Sequence, residues 1–208
     1  MTYLRNTFLL FFLVATSIAT YAQNNFEKMG MQAWMKGDFK GAVVHLEKAD
    51  NAEPNNATIL RALGYSYFQC GDFENAISAY SKLIALKPTD ASAYYYRGKA
   101  RLTIANLPKQ ALNQMRESFY TSAIKDFTKA IEINGEEDIQ TLQNRGIAYK
   151  DYAIFKSFKI KKSTEKTACL AVFNSSIADF QKVLTVQPLR RDIIDLMDYV
   201  KAQVVSLK

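Results

Sequence analysis

The segment from Ala57 to Asp90 carries the pattern that most restricts how this chain can fold. Small and apolar residues in its first half follow one face of a helix: Leu60, Leu63, Gly64 and Tyr67. Gly71 and Asp72 interrupt this helix, and the Asp72 carboxylate can accept a hydrogen bond from a free backbone N–H group of the next one. A second apolar stripe follows: Ala76, Tyr80, Leu83 and Ile84. Pro88 ends the unit because proline lacks a backbone donor. The segment therefore predicts two helices and a turn within 34 residues.

The same pattern recurs along the chain. We expect repeats at residues 23–56, 57–90, 91–138 and 139–188, followed by a final helix within 189–208. Small residues stand where the paired helices are expected to cross, since larger side chains would hold the backbones apart: Gly30, Gly64, Gly98, Gly146, Ala42, Ala76 and Ala123. Prolines end three of the four repeats: Pro54, Pro88 and Pro188.

These residues resemble the tetratricopeptide repeat, or TPR, whose length is also 34 residues. In the second repeat Leu60 stands where Trp is commonest, and Leu63, Gly64, Tyr67, Ala76, Tyr80 and Pro88 match the remaining pattern. The resemblance implies an all-α, right-handed superhelical solenoid of antiparallel helix pairs, with about four repeats and a C-terminal capping helix. Such a cap needs one polar face, and Asp192, Asp195, Asp198 and Lys201 would supply it.

The third and fourth repeats contain insertions with helical patterns of their own. Pro108 is expected in a first helical turn, followed by a stripe formed by Leu112, Met115, Phe119 and Ala123. In the fourth repeat, aromatic residues extend the first helix and apolar residues extend the second: Tyr152, Phe155 and Phe158, then Cys169, Phe173 and Ile177. We interpret the fourth insertion as a helical hairpin with a basic tip at 159–166. The alternative is a disordered lysine-rich loop.

Residues 1–22 have the features of a secretory signal peptide. Arg5 precedes an apolar centre at 8–14, and small residues at Thr20 and Ala22 predict cleavage before Gln23. The alternative is an uncleaved membrane anchor, but a span needs about 20 apolar residues and this run is shorter. We therefore expect an exported protein, periplasmic or secreted.

The sequence offers no recognisable catalytic arrangement, phosphate-binding loop or metal-ligand spacing. His45 is the single histidine, and Cys70 and Cys169 fall in different repeats, so two separate buried thiols are favoured over a disulfide. We expect a protein that is not an enzyme and that needs no cofactor or metal.

The resemblance also implies a binding surface, because the first helices of TPR proteins line a concave groove that binds peptides or helices. On that basis the groove residues are Arg61, Tyr65, Tyr95, Tyr96, Lys99, Asn144 and Lys150. Aromatic rings beside cations suit a protein or peptide ligand. The alternative is that some of these rings only pack between neighbouring helices.

A second hypothesis rests on the basic hairpin at 156–166. The formal net charge of the chain is +7, and Lys159, Lys161 and Lys162 lie in its densest basic cluster. This segment could contact a membrane or another anionic surface, in which case the protein would have a structural role in the cell envelope. A solvated hairpin tip is the simpler interpretation, and no nucleic-acid partner is expected.

One pair of substitutions between repeats predicts two ion pairs. Arg97 and Arg145 directly precede the small glycine of the third and fourth repeats, whereas the first two repeats have Met29 and Leu63 there. Asp126 and Asp179 appear in the second helices of the same two repeats. Because the residue types change together, we expect Arg97 to pair with Asp126 and Arg145 with Asp179.

Overall fold

The computed structural model describes residues 25–108, 115–135 and 137–207. Within these residues the chain forms helices and no strands. In chain order the helices are α1 (25–35), α2 (Phe39–Ala52), α3 (Ala57–Gln69), α4 (Phe73–Leu86), α5 (Ala91–Asn106), α6 (Arg116–Asn134), α7 (Ile139–Ser157), α8 (Ser163–Val186) and α9 (Arg191–Ser206). The predicted all-α repeat fold is confirmed.

Short polar side chains begin five of these helices. Asp38, Asn56, Asp72, Asp90 and Asp138 each accept a hydrogen bond from a backbone N–H group in the first turn of the following helix. The cap predicted at Asp72 is confirmed, since its carboxylate accepts from the Asn75 N–H group at 3.2 Å. These contacts satisfy donors that a helix start otherwise leaves free.

The repeats end in one of two ways. Glu53, Lys87 and Gln187 each precede a proline and share nearly the same backbone, with φ of −132°, −133° and −128°. Proline sterically keeps the preceding residue out of the helical region, so it stops the helix there. The third repeat has no such proline and ends at Gly135, whose φ of 90° suits a residue without a side chain.

The described residues form two compact units, one up to Lys87 and one from Pro88. In the first unit, α1, α2 and α3 enclose an apolar core containing Leu46, Ile59 and Leu63. The small residues lie where helices approach closely: a Cβ atom on Gly64 would lie 3.1 Å from the Tyr80 ring, and one on Gly30 would lie 2.7 Å from Leu46.

The second unit uses the same close approach between α5 and α6 and between α7 and α8. A Cβ atom on Gly98 would lie 3.0 Å from the Phe127 ring, and one on Gly146 would lie 2.7 Å from the Phe180 ring. Ala42, Ala76 and Ala123 are fully buried, and in the fourth repeat the Ser176 hydroxyl donates to the Gly146 carbonyl at 2.8 Å. The predicted crossing points are confirmed.

Helix α9 is amphipathic, as predicted. Ile193 and Val200 are fully buried and join the apolar cluster formed with α8. Asp192, Asp195, Asp198 and Lys201 are exposed.

The fourth insertion is a helical hairpin and not a disordered loop. Helix α7 continues to Ser157, α8 begins at Ser163, and Cys169 and Phe173 are buried in the same cluster as Ala153. The prediction that Phe158 continues the aromatic stripe is wrong, because α7 ends at this residue and its side chain is 85% exposed. In the third insertion α6 begins at Arg116, while the segment after Pro108 that includes Leu112 lies outside the described residues.

The prediction for the two cysteines is partly wrong. Cys70 and Cys169 are both free thiols, but only Cys169 is buried; Cys70 is exposed at the end of α3, so the prediction of two buried thiols is wrong. None of the described helices combines the length and the apolar character that a membrane crossing requires.

Candidate functional site

Four of the predicted groove residues contact one another in the second unit. We call Tyr95, Tyr96, Lys99 and Asn144 the α5–α7 cluster. The Lys99 Nζ atom lies 5.6 Å from the centre of the Tyr95 ring and 5.9 Å from that of Tyr96. The two rings meet edge to face at 5.1 Å, and the Asn144 side-chain amide donates to the Tyr95 hydroxyl at 3.2 Å.

Helical spacing explains this arrangement. Lys99 lies four residues after Tyr95 and three after Tyr96. Its side chain is therefore on the same face of α5, one turn further along, where its ammonium group can reach both rings. Asn144 is held from α7 by a second bond, in which its amide donates to the Gln140 carbonyl at 2.8 Å. The cluster is therefore built on two helices, both of them first helices of their pairs.

Tyr95 does not fit the prediction that its ring contacts a ligand. It is only 8% exposed, and its ring packs edge to face on Phe127 at 6.1 Å. Burial, together with Tyr96 and Asp138, raises the pKa of Tyr95 to about 12, so the phenol remains neutral at physiological pH. Tyr95 supports Lys99 and Asn144, while Tyr96 is half-buried and presents part of its ring to solvent.

Lys99 gives the cluster its charge. Burial lowers the pKa of Lys99 because it disfavours the ammonium form. The ring faces offset part of that cost by cation–π attraction. An anionic group placed beside this ammonium would stabilise it further.

The other predicted groove residues lie outside the α5–α7 cluster. In the first unit Arg61 is exposed on α3, and the Tyr65 ring packs edge to face on Trp34 at 6.1 Å and on Phe39 at 5.6 Å. Lys150 is on α7, but its ammonium forms an ion pair with Asp151.

Both ion pairs predicted from the repeats are confirmed. Arg97 donates two hydrogen bonds to Asp126, at 3.0 and 2.7 Å, and Arg145 donates two to Asp179, at 2.8 and 2.7 Å. Sequence reasoning missed Arg101, which also donates to Asp126 at 2.6 Å. Its position one helical turn after Arg97 was the available signal.

The structure adds two pockets that the sequence did not indicate. One, of about 380 Å³, lies in the second unit and combines the rings of Tyr120, Phe155 and Phe158 with polar groups of Asn106 and Asp151. The other, of about 310 Å³, lies in the first unit, where the Tyr67 hydroxyl donates to Glu47 at 2.5 Å and Lys82 donates to Asp50 at 3.2 Å. No group of acidic, histidine or cysteine side chains among the described residues could hold a metal ion.

Comparison with known proteins shows which class of protein this chain resembles. Residues 64–103 match the family model of the TPR repeat. The chain is 28% identical to the CTR9 homolog of Arabidopsis thaliana over 57% of its own length, but it spans only 14% of that protein.

Solved structures show the same fold at low sequence identity. MamA of Desulfovibrio magneticus RS-1, from residue 41 to its end, is 16% identical with a TM-score of 0.60, covering 89% of this chain and 94% of that one. The C-terminal part of a TPR repeat-containing protein from Cytophaga hutchinsonii is 19% identical with a TM-score of 0.58, covering 85% and 60%. A thermophilic TPR protein from Thermus thermophilus is 15% identical with a TM-score of 0.50, covering 86% and 99%.

The fold and these matches define a helical-repeat protein. More specifically, residues 64–103 are similar to a TPR repeat, and the described residues share the helical-repeat fold of these solved structures.

Proposed function

We propose that this protein is an exported, non-enzymatic adaptor that binds a peptide or protein segment on its first helices. The surface of the second unit is centred on Tyr96 and Lys99, with Asn144 beside them. Arg61 and Tyr65 belong to the corresponding face of the first unit. The observation that carries the proposal is the Lys99 ammonium, which is held within 6 Å of two tyrosine ring centres.

The chemistry of this cluster favours an acidic ligand. A partly desolvated ammonium gains more from a carboxylate than a fully hydrated one does, because the local dielectric constant is lower. The adjacent Tyr96 ring offers apolar area with few rotatable bonds to immobilise. A helical wall has no free backbone donors along its length, so recognition must come from side chains. An acidic segment that also carries an apolar or aromatic residue fits these conditions.

The test compares binding by matched surface variants. The wild-type chain is used to capture partners from an envelope fraction, and the dissociation constant of each captured protein is then measured with purified variants. Tyr96→Ala with Lys99→Glu should weaken binding by about 30-fold or more, since a hot-spot residue contributes about 2 kcal/mol or more. Tyr199→Ala with Lys129→Glu, at exposed positions on α9 and α6, is the control and should retain affinity.

Stability must be measured alongside affinity. Lys99→Met keeps much of the side-chain volume but removes the ammonium whose charged form burial disfavours, so it should bind weakly and still melt at or above the wild-type temperature. Full affinity in the Tyr96 and Lys99 double variant would exclude this surface. If deletion of 159–166 abolished binding instead, the hairpin would be the site.

A further inference from the structure

The tip of the α7–α8 hairpin combines exposed apolar and basic side chains. We call residues 158–162 the hairpin tip; they connect Ser157 of α7 to Ser163 of α8. Phe158 is 85% exposed, and Lys159, Lys161 and Lys162 are exposed around it. A single exposed ring is common on protein surfaces and does not by itself indicate a binding site. The neighbouring charges and the position of the tip do.

The first helix of the hairpin is longer than the first helix of a repeat without an insertion, so the tip lies further out. Helix α7 has 19 residues and α3, the first helix of the unmodified second repeat, has 13. At 1.5 Å per residue the difference is about 9 Å. The tip therefore lies beyond the part of the helix pair that a repeat of ordinary length would form.

The extension is well packed beneath its tip. Phe173 and Cys169 are fully buried, and the Cys169 thiol donates to the Ala153 carbonyl at 3.2 Å. The Lys159 ammonium lies 3.9 Å from the centre of the Phe155 ring. A supported tip needs little ordering when it meets another surface, which favours binding.

The tip and the residues that flank it carry an excess of positive charge. Residues 156–166 contain five lysines and one acidic residue, Glu165. The Glu165 carboxylate accepts hydrogen bonds from the backbone N–H groups of Lys161 at 2.6 Å and Lys162 at 3.1 Å, so it orders the turn. The lysine ammonium groups of the tip point to an anionic surface as their counterpart.

We propose that the hairpin tip docks on the surface of an anionic lipid bilayer. Lysines near such a surface are attracted to the acidic headgroups, and an exposed aromatic ring gains by entering the interfacial layer. The combination of a ring and lysines on a convex turn fits a flat bilayer. A nucleic acid would need a longer basic groove to follow its backbone. This proposal does not depend on the adaptor function.

Fluorescence at position 158 provides the first test. The chain has one tryptophan, Trp34, so a Trp34→Phe chain carrying Phe158→Trp reports the environment of the tip alone. With vesicles of phosphatidylglycerol and phosphatidylcholine its emission should shift to the blue, and vesicles of phosphatidylcholine alone should leave it unchanged. The matched control is Leu189→Trp in the same background, since Leu189 is 92% exposed outside the tip; it should not shift.

Vesicle sedimentation of the full chain provides the second test. Lys161→Ser with Lys162→Ser should weaken binding to anionic vesicles by roughly 10- to 30-fold at low salt, and added salt should reduce binding of the wild type. Lys125→Ser with Lys201→Ser removes two exposed lysines elsewhere and should have little effect.

Three results would overturn the proposal. The first is an unshifted emission at position 158 on anionic vesicles, and the second is an equal shift at position 189. The third is binding of heparin or single-stranded DNA that depends on Lys161 and Lys162 while the same lysines do not affect vesicle binding.

Discussion

Arg97 and Arg145 show what a comparison between repeats can establish at the level of single residues. Each replaces an apolar residue of the earlier repeats, and each lies opposite an aspartate that is absent there. The pairs exist as predicted because a buried carboxylate needs a charged partner. Asp126 is 2% exposed and Asp179 is 3% exposed, so neither could be left without one.

The two ion pairs should respond differently to removal of their arginines. Arg145→Met leaves the buried Asp179 carboxylate without its bidentate partner, and we expect a loss of about 3–5 kcal/mol in unfolding free energy. Arg97→Met should cost less, because Arg101 still donates to Asp126. Urea unfolding measures both, with Lys129→Met at an exposed pair as a control that should leave stability unchanged. Equal losses for Arg97→Met and Arg145→Met would show that Arg101 does not compensate.

The repeat glycines make a second prediction at this scale. A Cβ atom on Gly146 would lie 2.7 Å from Phe180, whereas one on Gly64 would lie 3.1 Å from Tyr80, and both rings are fully buried. Gly64→Ala should therefore be nearly neutral, since alanine favours the helix by about 1 kcal/mol. Gly146→Ala and Gly64→Leu should each lose about 1–3 kcal/mol through overpacking. An unchanged melting temperature for Gly64→Leu would mean that the close approach to α4 is looser than these distances indicate.

The tyrosines of α5 show where residue-level reasoning fails. Tyr94, Tyr95 and Tyr96 are consecutive, and successive side chains in a helix differ by about 100°. One of the three must turn towards the core, but the rotation of the helix decides which. The sequence assigned Tyr95 and Tyr96 to the groove alike, whereas the packing of α5 on α6 buries Tyr95 against Phe127.

At the scale of elements, the period and the caps predicted the helices, but not the end of α7. Tyr152, Phe155 and Phe158 are spaced three residues apart, and each step falls about 60° short of a full turn. A stripe of that spacing drifts around the helix. Tyr152 is therefore buried while Phe158, two steps later, is exposed where the turn begins.

The hairpin should depend on its buried residues and not on its tip. Phe173→Ala removes a fully buried ring from the cluster between α7 and α8, and we expect a loss of about 3–5 kcal/mol. Phe158→Ala removes a ring that is 85% exposed and should leave the melting temperature unchanged. Thermal and urea unfolding of the two variants test this. If Phe173→Ala were also neutral, the hairpin would not share the cooperative core of the second unit.

At the scale of the whole molecule, the repeat length predicted the fold because one helix pair cannot bury its apolar face alone. Repetition of the pattern then implies neighbours that complete the core. Partner identity does not follow from that argument, since the scaffold residues fix the architecture and the side chains of the surface fix the specificity. Lys150 is an example: its type and position suggested a cation that faces the groove, but its ammonium group forms an ion pair with the neighbouring Asp151.

Processing of the N-terminus is the remaining prediction at this scale. Residues 1–22 lie outside the described residues, and their apolar centre at 8–14 is shorter than the about 20 apolar residues of a typical membrane span. Residues 25–35 are helical, and Phe26 already packs in the first apolar core. Cleavage before Gln23 would therefore leave every described helix and core contact in place.

Expression of the full chain with its own leader in a bacterial host tests this. Intact-mass measurement of the exported fraction should give a chain of residues 23–208, while Ala22→Arg, which disrupts the small-residue pattern that cleavage requires, should accumulate with residues 1–22 attached. Wild-type protein that keeps residues 1–22 in a membrane fraction would mean that the segment is an anchor.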